Sequence, residues 1–340
     1  MSRTFNVAVV GATGLVGEVM IDILAERNFP VGKLYALASE RSAGREIRFR
    51  GETVVVEPLS TFDFSQADIG LFSAGGSISA EFAPKAAAAG CVVIDNTSHF
   101  RYDDDVPLIV PEVNVHRLPD HAARGIIANP NCSTIQLVVA LKPIYDAVGI
   151  ERINIATYQA ISGAGRSALE TMTDDARQLL NGIEPVADGA AKRVAFNVVP
   201  HIDEFLEGGF TKEEMKIVWE TRKIFEDDKI MVNPTVARVP VYFGHSEAVH
   251  IETRTQITVE DVQKLLNSAP GVALLDGRET GAYPTAATEA AGRDEVFVGR
   301  VRKDPSHPRG IDLWVVSDNV RKGAALNSVQ IAEILLNQLM

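Results

Sequence analysis

Phe5-Asn6-Val7-Ala8-Val9-Val10-Gly11-Ala12-Thr13-Gly14-Leu15-Val16-Gly17 decides the fold. Its first six residues form a nearly unbroken apolar run, as expected of a parallel strand buried on both faces. A glycine turn follows. Val16, Val19, Met20, Ile23 and Leu24 then recur on one face of a helix. Strand, glycine turn and helix make the dinucleotide-binding arrangement. Gly11, Gly14 and Gly17 let the backbone approach a pyrophosphate at a helix N-terminus, so Gly11, Thr13, Gly14, Leu15, Val16 and Gly17 are candidate cofactor residues. The spacing Gly-x-x-Gly-x-x-Gly departs from the commoner Gly-x-Gly-x-x-Gly. Its place at the first strand-to-helix turn therefore carries the reading against that of a plain tight turn.

The next strand, Lys33 to Ala38, is expected to end beside the adenosine ribose, where an NAD site sets a carboxylate. Here Ser39, Arg41 and Ser42 suit a 2′-phosphate through charge-assisted hydrogen bonds. Glu40 would suit the NAD ribose instead, and on balance the residues favour NADP. Asp68 to Ser73 and Cys91 to Ile94 supply two more strands. The first runs into Ala74-Gly75-Gly76-Ser77, a glycine turn at a carboxyl end, where α/β sheets collect ligands; Ser73 and Gly75 join the cofactor candidates. Cys91 reads as core. His99 reads as a ligand, a base or plain surface. Arg101 is a candidate anion binder, with Asp103 to Asp105 solvated behind it.

The 340 residues suit two domains, divided near residue 130. A hydrophobic content of 46% with 23% charged residues is ordinary for a soluble protein with a sizeable core. The net charge of −12 argues against nucleic acid or an anionic membrane surface as partner. The only cysteines, Cys91 and Cys132, make neither a disulfide framework nor a zinc cluster, which suits a reducing cytoplasm, and no metal is expected. Met1-Ser2-Arg3-Thr4 leads straight into the first strand without a signal-peptide pattern. No apolar run reaches transmembrane length.

In the second half, Gly125 to Thr134 reads as a short strand (Ile126 to Ala128), an Asn-Pro-Asn turn and a helix start. Cys132 sits where unpaired N–H groups and the helix dipole favour a thiolate. A buried structural cysteine is the other reading, and this stretch alone leaves both open. Arg152 to Ala160 is a strand whose polar Gln159 reads locally as an exposed strand end. Ser162-Gly163-Ala164-Gly165-Arg166 and a helix to Leu180 follow. Thr211 and Glu214 form a capping box, and Glu213 with Lys216 shares a helix face, by itself a surface ion pair. Val236 to Val241 is a strand carrying Arg238, which needs an anionic partner if buried. Gly244-His245-Ser246-Glu247 reads as a turn into a long strand, Ala248 to Gln256. With strands at Val296 to Val301 and Ile311 to Val316, this half reads as a mixed sheet covered by helices on one face. The terminal helix, Leu326 to Leu339, is expected to dock on the first domain's sheet.

Together these stretches resemble the aspartate-semialdehyde dehydrogenase family. The resemblance rests on Gly11 to Gly17, Asp95-Asn96-Thr97-Ser98 with Phe100-Arg101, Pro111-Glu112-Val113-Asn114, Asn129-Pro130-Asn131-Cys132-Ser133-Thr134, and Gln159 to Gly165. It continues through Phe196 to Asp203, Arg238-Val239-Pro240-Val241, Gly244-His245-Ser246, and Asp318-Asn319 through Ala325. It implies a Rossmann-like NADP-binding domain (1–130), an α+β catalytic and dimerisation domain (131–320) and a returning C-terminal helix (321–340). It further implies a homodimer formed through the second domain and NADPH-dependent reductive dephosphorylation of L-aspartyl-4-phosphate to L-aspartate 4-semialdehyde. That step releases phosphate and leads toward lysine, threonine and methionine. Cys132 resembles the nucleophile that becomes a thioester, His245 the acid/base, and Gln159 the group orienting the acyl intermediate. Arg238 and Glu213 resemble the holders of the amino-acid end, and Arg101, Asn131 and Lys216 the phosphate binders. Ser39, Arg41 and Ser42 resemble the NADP-selecting loop, and Ser162, Gly163, Gly165 and Asn319 match stretches at the nicotinamide end. The nearest alternative is an N-acetyl-glutamyl-phosphate reductase. Its acylated substrate has no ammonium for Glu213. A silent binding paralogue is disfavoured by the presence of Cys132, Gln159 and His245.

Overall fold

A computed structural model describes residues 3–186 and 192–339, with side chains described up to residue 336. Met1 and Ser2, read above as leading into the first strand, lie outside the described residues. The chain divides into two compact units. One runs to Asn131 and resumes at Ala324, and the other is Cys132–Gly323.

The first unit contains, in order, β1 (Phe5–Val10), α1 (Leu15–Glu26), β2 (Val31–Ala38), β3 (Glu46–Phe49), β4 (Glu52–Val55), β5 (Glu57–Pro58), β6 (Ile69–Phe72), α2 (Gly76–Ala88), β7 (Val92–Asp95), α3 (Pro111–Asn114) and β8 (Ile126–Ala128). Six strands form one sheet, β5-β2-β1-β6-β7-β8, with every neighbouring pair parallel. β1 lies inside that sheet and Val7 to Val10 are fully buried, which is why its sequence is continuous rather than alternating. The C-terminal helix (Leu326–Leu339) belongs to this unit. Its Leu326, Val329, Ala332, Leu335 and Leu336 share one buried cluster with Val7, Val9, Leu24 and Ile94. Each fully buried aliphatic side chain of this kind contributes about 1.5–3 kcal/mol, enough to order a terminal helix that is marginal by itself. Asn327 anchors its first turn by donating to the Ile109 carbonyl at 3.0 Å and to Asn129 Oδ1 at 2.7 Å.

The second unit contains α4 (Cys132–Val148), β9 (Ile150–Gln159), α5 (Arg166–Leu180), α6 (Lys212–Phe225), β10 (Met231–Arg238), β11 (His245–Thr253), α7 (Val259–Ser268), β12 (Val272–Leu274), β13 (Val296–Lys303) and β14 (Gly310–Ser317). Its sheet, β10-β9-β11-β14-β13-β12, is mixed: the outer pairs are parallel and the inner pairs antiparallel. α4, α6 and α7 pack on its strands. The parallel first sheet and mixed second sheet are the architecture expected from the sequence.

Several segments differ from the sequence reading. His245-Ser246-Glu247 opens β11 rather than forming a turn, because β14 and β9 pair with it from His245↔Ser317 and Ser246↔Tyr158 onward. β11 ends at Thr253, so Arg254 to Gln256 lie beyond it. β10 starts at Met231 and stops at Arg238, just before Pro240, whose missing N–H cannot serve a ladder. β3, β4, β5 and β12 are too short to register as a period. α7 stands where the sequence reading has no element, and Thr258 caps it by accepting from the Asp261 N–H. No helix among the described residues is long and apolar enough to cross a membrane.

Candidate active site

In the first unit the glycine turn forms one wall of a cleft of about 620 Å³, lined by Gly11, Thr13, Gly14, Ser39, Glu40, Arg41, Ser73 and neighbouring residues. Gly11 has φ +89, and a Cβ on Gly17 would lie 2.2 Å from the Gly11 carbonyl oxygen. The turn therefore closes against its helix only with glycine there. α1 opens without a side-chain cap, so the N–H groups of its first turn face outward for an anion. Arg41 lies in a 3-10 turn, Glu40–Ser42, at the end of β2. Glu40 accepts from Ser60 Oγ at 3.3 Å, and Thr13 Oγ1 donates to Ser42 Oγ at 3.5 Å. Leu15, Val16, Gly17, Ser42 and Gly75 stand behind or beside this lining rather than in it.

Elsewhere in this unit, Arg101 is buried and donates to the Asn96 carbonyl at 2.8 Å, and Asn131 is buried at the unit's end. His99 is exposed, with its ring edge-on to Phe100. Asp103 and Asp105 are solvated as expected, and both also pair with Arg124, at 2.9 and 3.1 Å. Cys91 is core, and burial pushes its thiol up to about 12, which makes it inert.

The second unit gathers Cys132, Gln159, Glu213, Lys216, Arg238 and His245 around one end of its mixed sheet. Cys132 is the first residue of α4, and its Sγ lies 3.2 Å from His245 Nε2. The Ala160 backbone N–H donates to His245 Nδ1 at 3.0 Å. A backbone amide can only donate, so Nδ1 presents its lone pair and the ring proton sits on Nε2, facing the sulfur. Burial, and then the charge of Arg238, hold the imidazole well below its ordinary value, so the ring is neutral. Arg238 is buried and donates from Nη1 to the Ala160 carbonyl at 2.8 Å. Burial lowers its proton affinity, while the charges of Cys132 and Glu213 oppose that. Gly163 closes over this group: a Cβ there would lie 2.9 Å from Arg238 Nη1 and 3.3 Å from His245 Cε1.

Two local sequence readings are corrected here. Gln159 is buried rather than an exposed strand end, and its Nε2 donates to Glu213 Oε1 at 3.2 Å and Thr157 Oγ1 at 3.4 Å. Glu213 and Lys216 form a sheltered pair, not a surface one, at 3.0 Å, with side chains 7% and 12% exposed. Asp203, to which the sequence assigned no role, completes this pair at 2.7 Å from Lys216 Nζ. Burial alone would lower the Lys216 proton affinity, but Glu213 and Asp203 hold the ammonium above its ordinary value. Asn319 ties two turns together, donating to Ser162 Oγ at 2.9 Å and accepting from the Gly244 N–H at 2.9 Å. Gly165, at φ +90, precedes α5.

A sulfur nucleophile, a neutral N–H donor and a cluster of buried opposite charges suit attack on an activated acyl group of a small zwitterion. Residues 6–121 match the family described as semialdehyde dehydrogenase, NAD binding domain, and residues 141–322 match semialdehyde dehydrogenase, dimerisation domain. Fold and site thus define the class: an oxidoreductase of the semialdehyde dehydrogenase type, with a domain for a nicotinamide cofactor. The aspartate-semialdehyde dehydrogenase of Shewanella sp. (strain DB6705) is 60% identical over 336 residues, 99% of each chain. The crystal structure of aspartate semialdehyde dehydrogenase II from Vibrio cholerae complexed with ASA is 57% identical, with a TM-score of 0.97 over 100% of each chain. A more distant structure, the Candida albicans enzyme with NADP, is 26% identical, with a TM-score of 0.73 over 98% of each chain. The chain belongs to the aspartate-semialdehyde dehydrogenase family.

Proposed function

We propose that this chain reduces L-aspartyl-4-phosphate to L-aspartate 4-semialdehyde with NADPH, releasing phosphate, through a thioester on Cys132. The observation that carries the proposal is the 3.2 Å approach of Cys132 Sγ to His245 Nε2 at the first residue of α4. The helix N-terminus and the Arg238 charge favour the thiolate. That thiolate attacks the acyl carbon; the C–S bond forms and the bond from carbon to the phosphate oxygen breaks. Phosphate leaves with the electron pair. A thioester accepts hydride more readily than a carboxylate, so covalent catalysis divides one hard reduction into two easier steps. The nicotinamide cofactor, when bound, supplies the hydride. His245 Nε2–H donates a hydrogen bond to the sulfur and then to the oxygen of the thiohemiacetal, which collapses to aldehyde and thiolate.

Arg238 serves the substrate α-carboxylate, Glu213 its ammonium, and Gln159 orients the acyl group. Arg101, Asn131 and Lys216 offset the phosphate charge. Ser162, Gly163, Gly165 and Asn319 serve the nicotinamide end. The cleft suits the dinucleotide, because glycine keeps its turn open and Arg41 lines its rim. Arg41 with Ser39 and Ser42 favours the NADP 2′-phosphate. The NADP-bound Candida albicans relative supports that preference. The dimerisation-domain match supports a homodimer formed through the second unit. The reaction serves lysine, threonine and methionine synthesis in the cytoplasm.

The test is the reverse assay: aspartate semialdehyde, phosphate and NADP, with NADPH followed at its absorbance. Phosphate-dependent formation is expected. Turnover of the N-acetylglutamate analogue but not of aspartate semialdehyde would overturn the substrate assignment.

A further inference from the structure

Beneath the row that holds Cys132, His245 and Gln159 lies a second buried row that the reaction does not use directly. Glu247, two residues after His245, points to the same face of β11; Gln136, one turn after Cys132, lies on α4; Thr157, two before Gln159, lies on β9 directly opposite Glu247. Their exposures are 0%, 1% and 1%. Two of the upper residues rest on lower ones: Gln136 Nε2 donates to the His245 carbonyl at 3.4 Å, and Gln159 Nε2 to Thr157 Oγ1 at 3.4 Å. Among the described residues, neither carboxyl oxygen of Glu247 has a hydrogen-bond partner, and Gln136 Oε1 has none.

A buried carboxylate with no donor is costly, and an amide oxygen with no donor adds to that cost. A carboxylate offers only acceptors, whereas a carboxylic acid offers one O–H. We propose that Glu247 is a positioning residue that carries a proton, donates it in a hydrogen bond to Gln136 Oε1, and so holds the Gln136 amide on the His245 carbonyl. One proton removes the buried charge, gives the Gln136 oxygen a donor and fixes the strand end from which His245 meets the sulfur. Titratable groups on the strand and on the elements around it include His245, His250 and Glu252 on β11, Arg152 and Tyr158 on β9, Asp312 on β14, Cys132 on α4, Arg238 on β10, and Glu213 and Glu220 on α6. Burial, rather than any of these charges, raises the Glu247 carboxyl well above its ordinary range, with the Gln136 amide opposing it.

The effect on catalysis rests on the role given to His245 above; the protonation does not. The folded chain keeps a proton that the unfolded chain releases above about pH 4.5, so this contribution is full below that pH and fades as pH rises. Urea unfolding of wild type and Glu247→Gln from about pH 5 to about pH 8 tests this. The wild-type unfolding constant should rise relative to that of Glu247→Gln by up to about tenfold per pH unit. Parallel curves would overturn the protonated state. Glu247→Gln, which keeps an N–H donor, should hold kcat and Cys132 alkylation by iodoacetamide within about threefold of wild type. Glu247→Leu should lower both by about tenfold without changing the cofactor KM. Should Glu247→Leu fail to fold, Gln136→Met breaks the same link from the other side. Wild-type kcat and alkylation in the folded variant would overturn the positioning role. The unfolding and alkylation arms do not depend on which substrate the chain reduces.

Discussion

The cofactor cleft and the cysteine site are built from opposite materials. The cleft is a backbone device: Gly11, Gly14 and Gly17 lie within one turn of chain, and their lack of side chains shapes it. The cysteine site is a side-chain device: Cys132, Gln159, Glu213, Arg238 and His245 come from α4, β9, α6, β10 and β11. A backbone device is written in contiguous sequence. A side-chain device depends on strand register, since a shift of one residue would turn His245 or Gln159 to the other face.

Breaking each device in turn tests this contrast. The largest effect is expected from Cys132→Ala. Turnover in the reverse assay should fall by roughly 10⁴-fold or more while NADP binding, followed by fluorescence titration, persists; an active variant would remove the central claim. His245→Ala should lower kcat by about 10²–10⁴-fold. His245→Gln, which keeps a donor but no base, should lose less, and equal loss in both variants would count against a neutral Nε2–H donor. Gly17→Val should lower stability by about 1–3 kcal/mol in thermal unfolding and weaken cofactor binding, because its Cβ meets the Gly11 carbonyl at 2.2 Å. Iodoacetamide should still label Cys132 in that variant. The smallest effect is expected from Arg41→Ala. NADP affinity should fall about tenfold, or roughly 1.5 kcal/mol, with NAD affinity unchanged. Equal loss for both cofactors would move the 2′-phosphate contact away from Arg41.

The contrast also explains which parts were legible. The parallel strands were visible because burial on both faces leaves them continuously apolar, as in Val7 to Val10. The α6 start was visible because Thr211 and Glu214 cap it locally, and the cap is present. Gln159 and the Glu213–Lys216 pair read locally as surface features, because neighbouring residues carry no record of what the fold lays over them. His245 reads as part of a turn because its ladder partner, Ser317 on β14, is distant in sequence, as is Tyr158 on β9, which pairs with Ser246. Asp203 drew no role because its partner Lys216 lies beyond a loop and on a helix. Glu247 reads as the end of the same turn, before the strand begins. Only its complete burial makes it a chemical question.

By itself the sequence determined the long buried strands and several of the helices between them, the glycine cradle, the placement of Cys132 at a helix start and, through its motifs, the family resemblance. These follow from local backbone chemistry and from periodicity. The tertiary structure decided which nitrogen of His245 faces the sulfur, which carboxylates hold Lys216, and that Glu247 lies sealed beneath the site. Those are matters of distance and desolvation between groups far apart in the chain, and they exist only once the strands have paired.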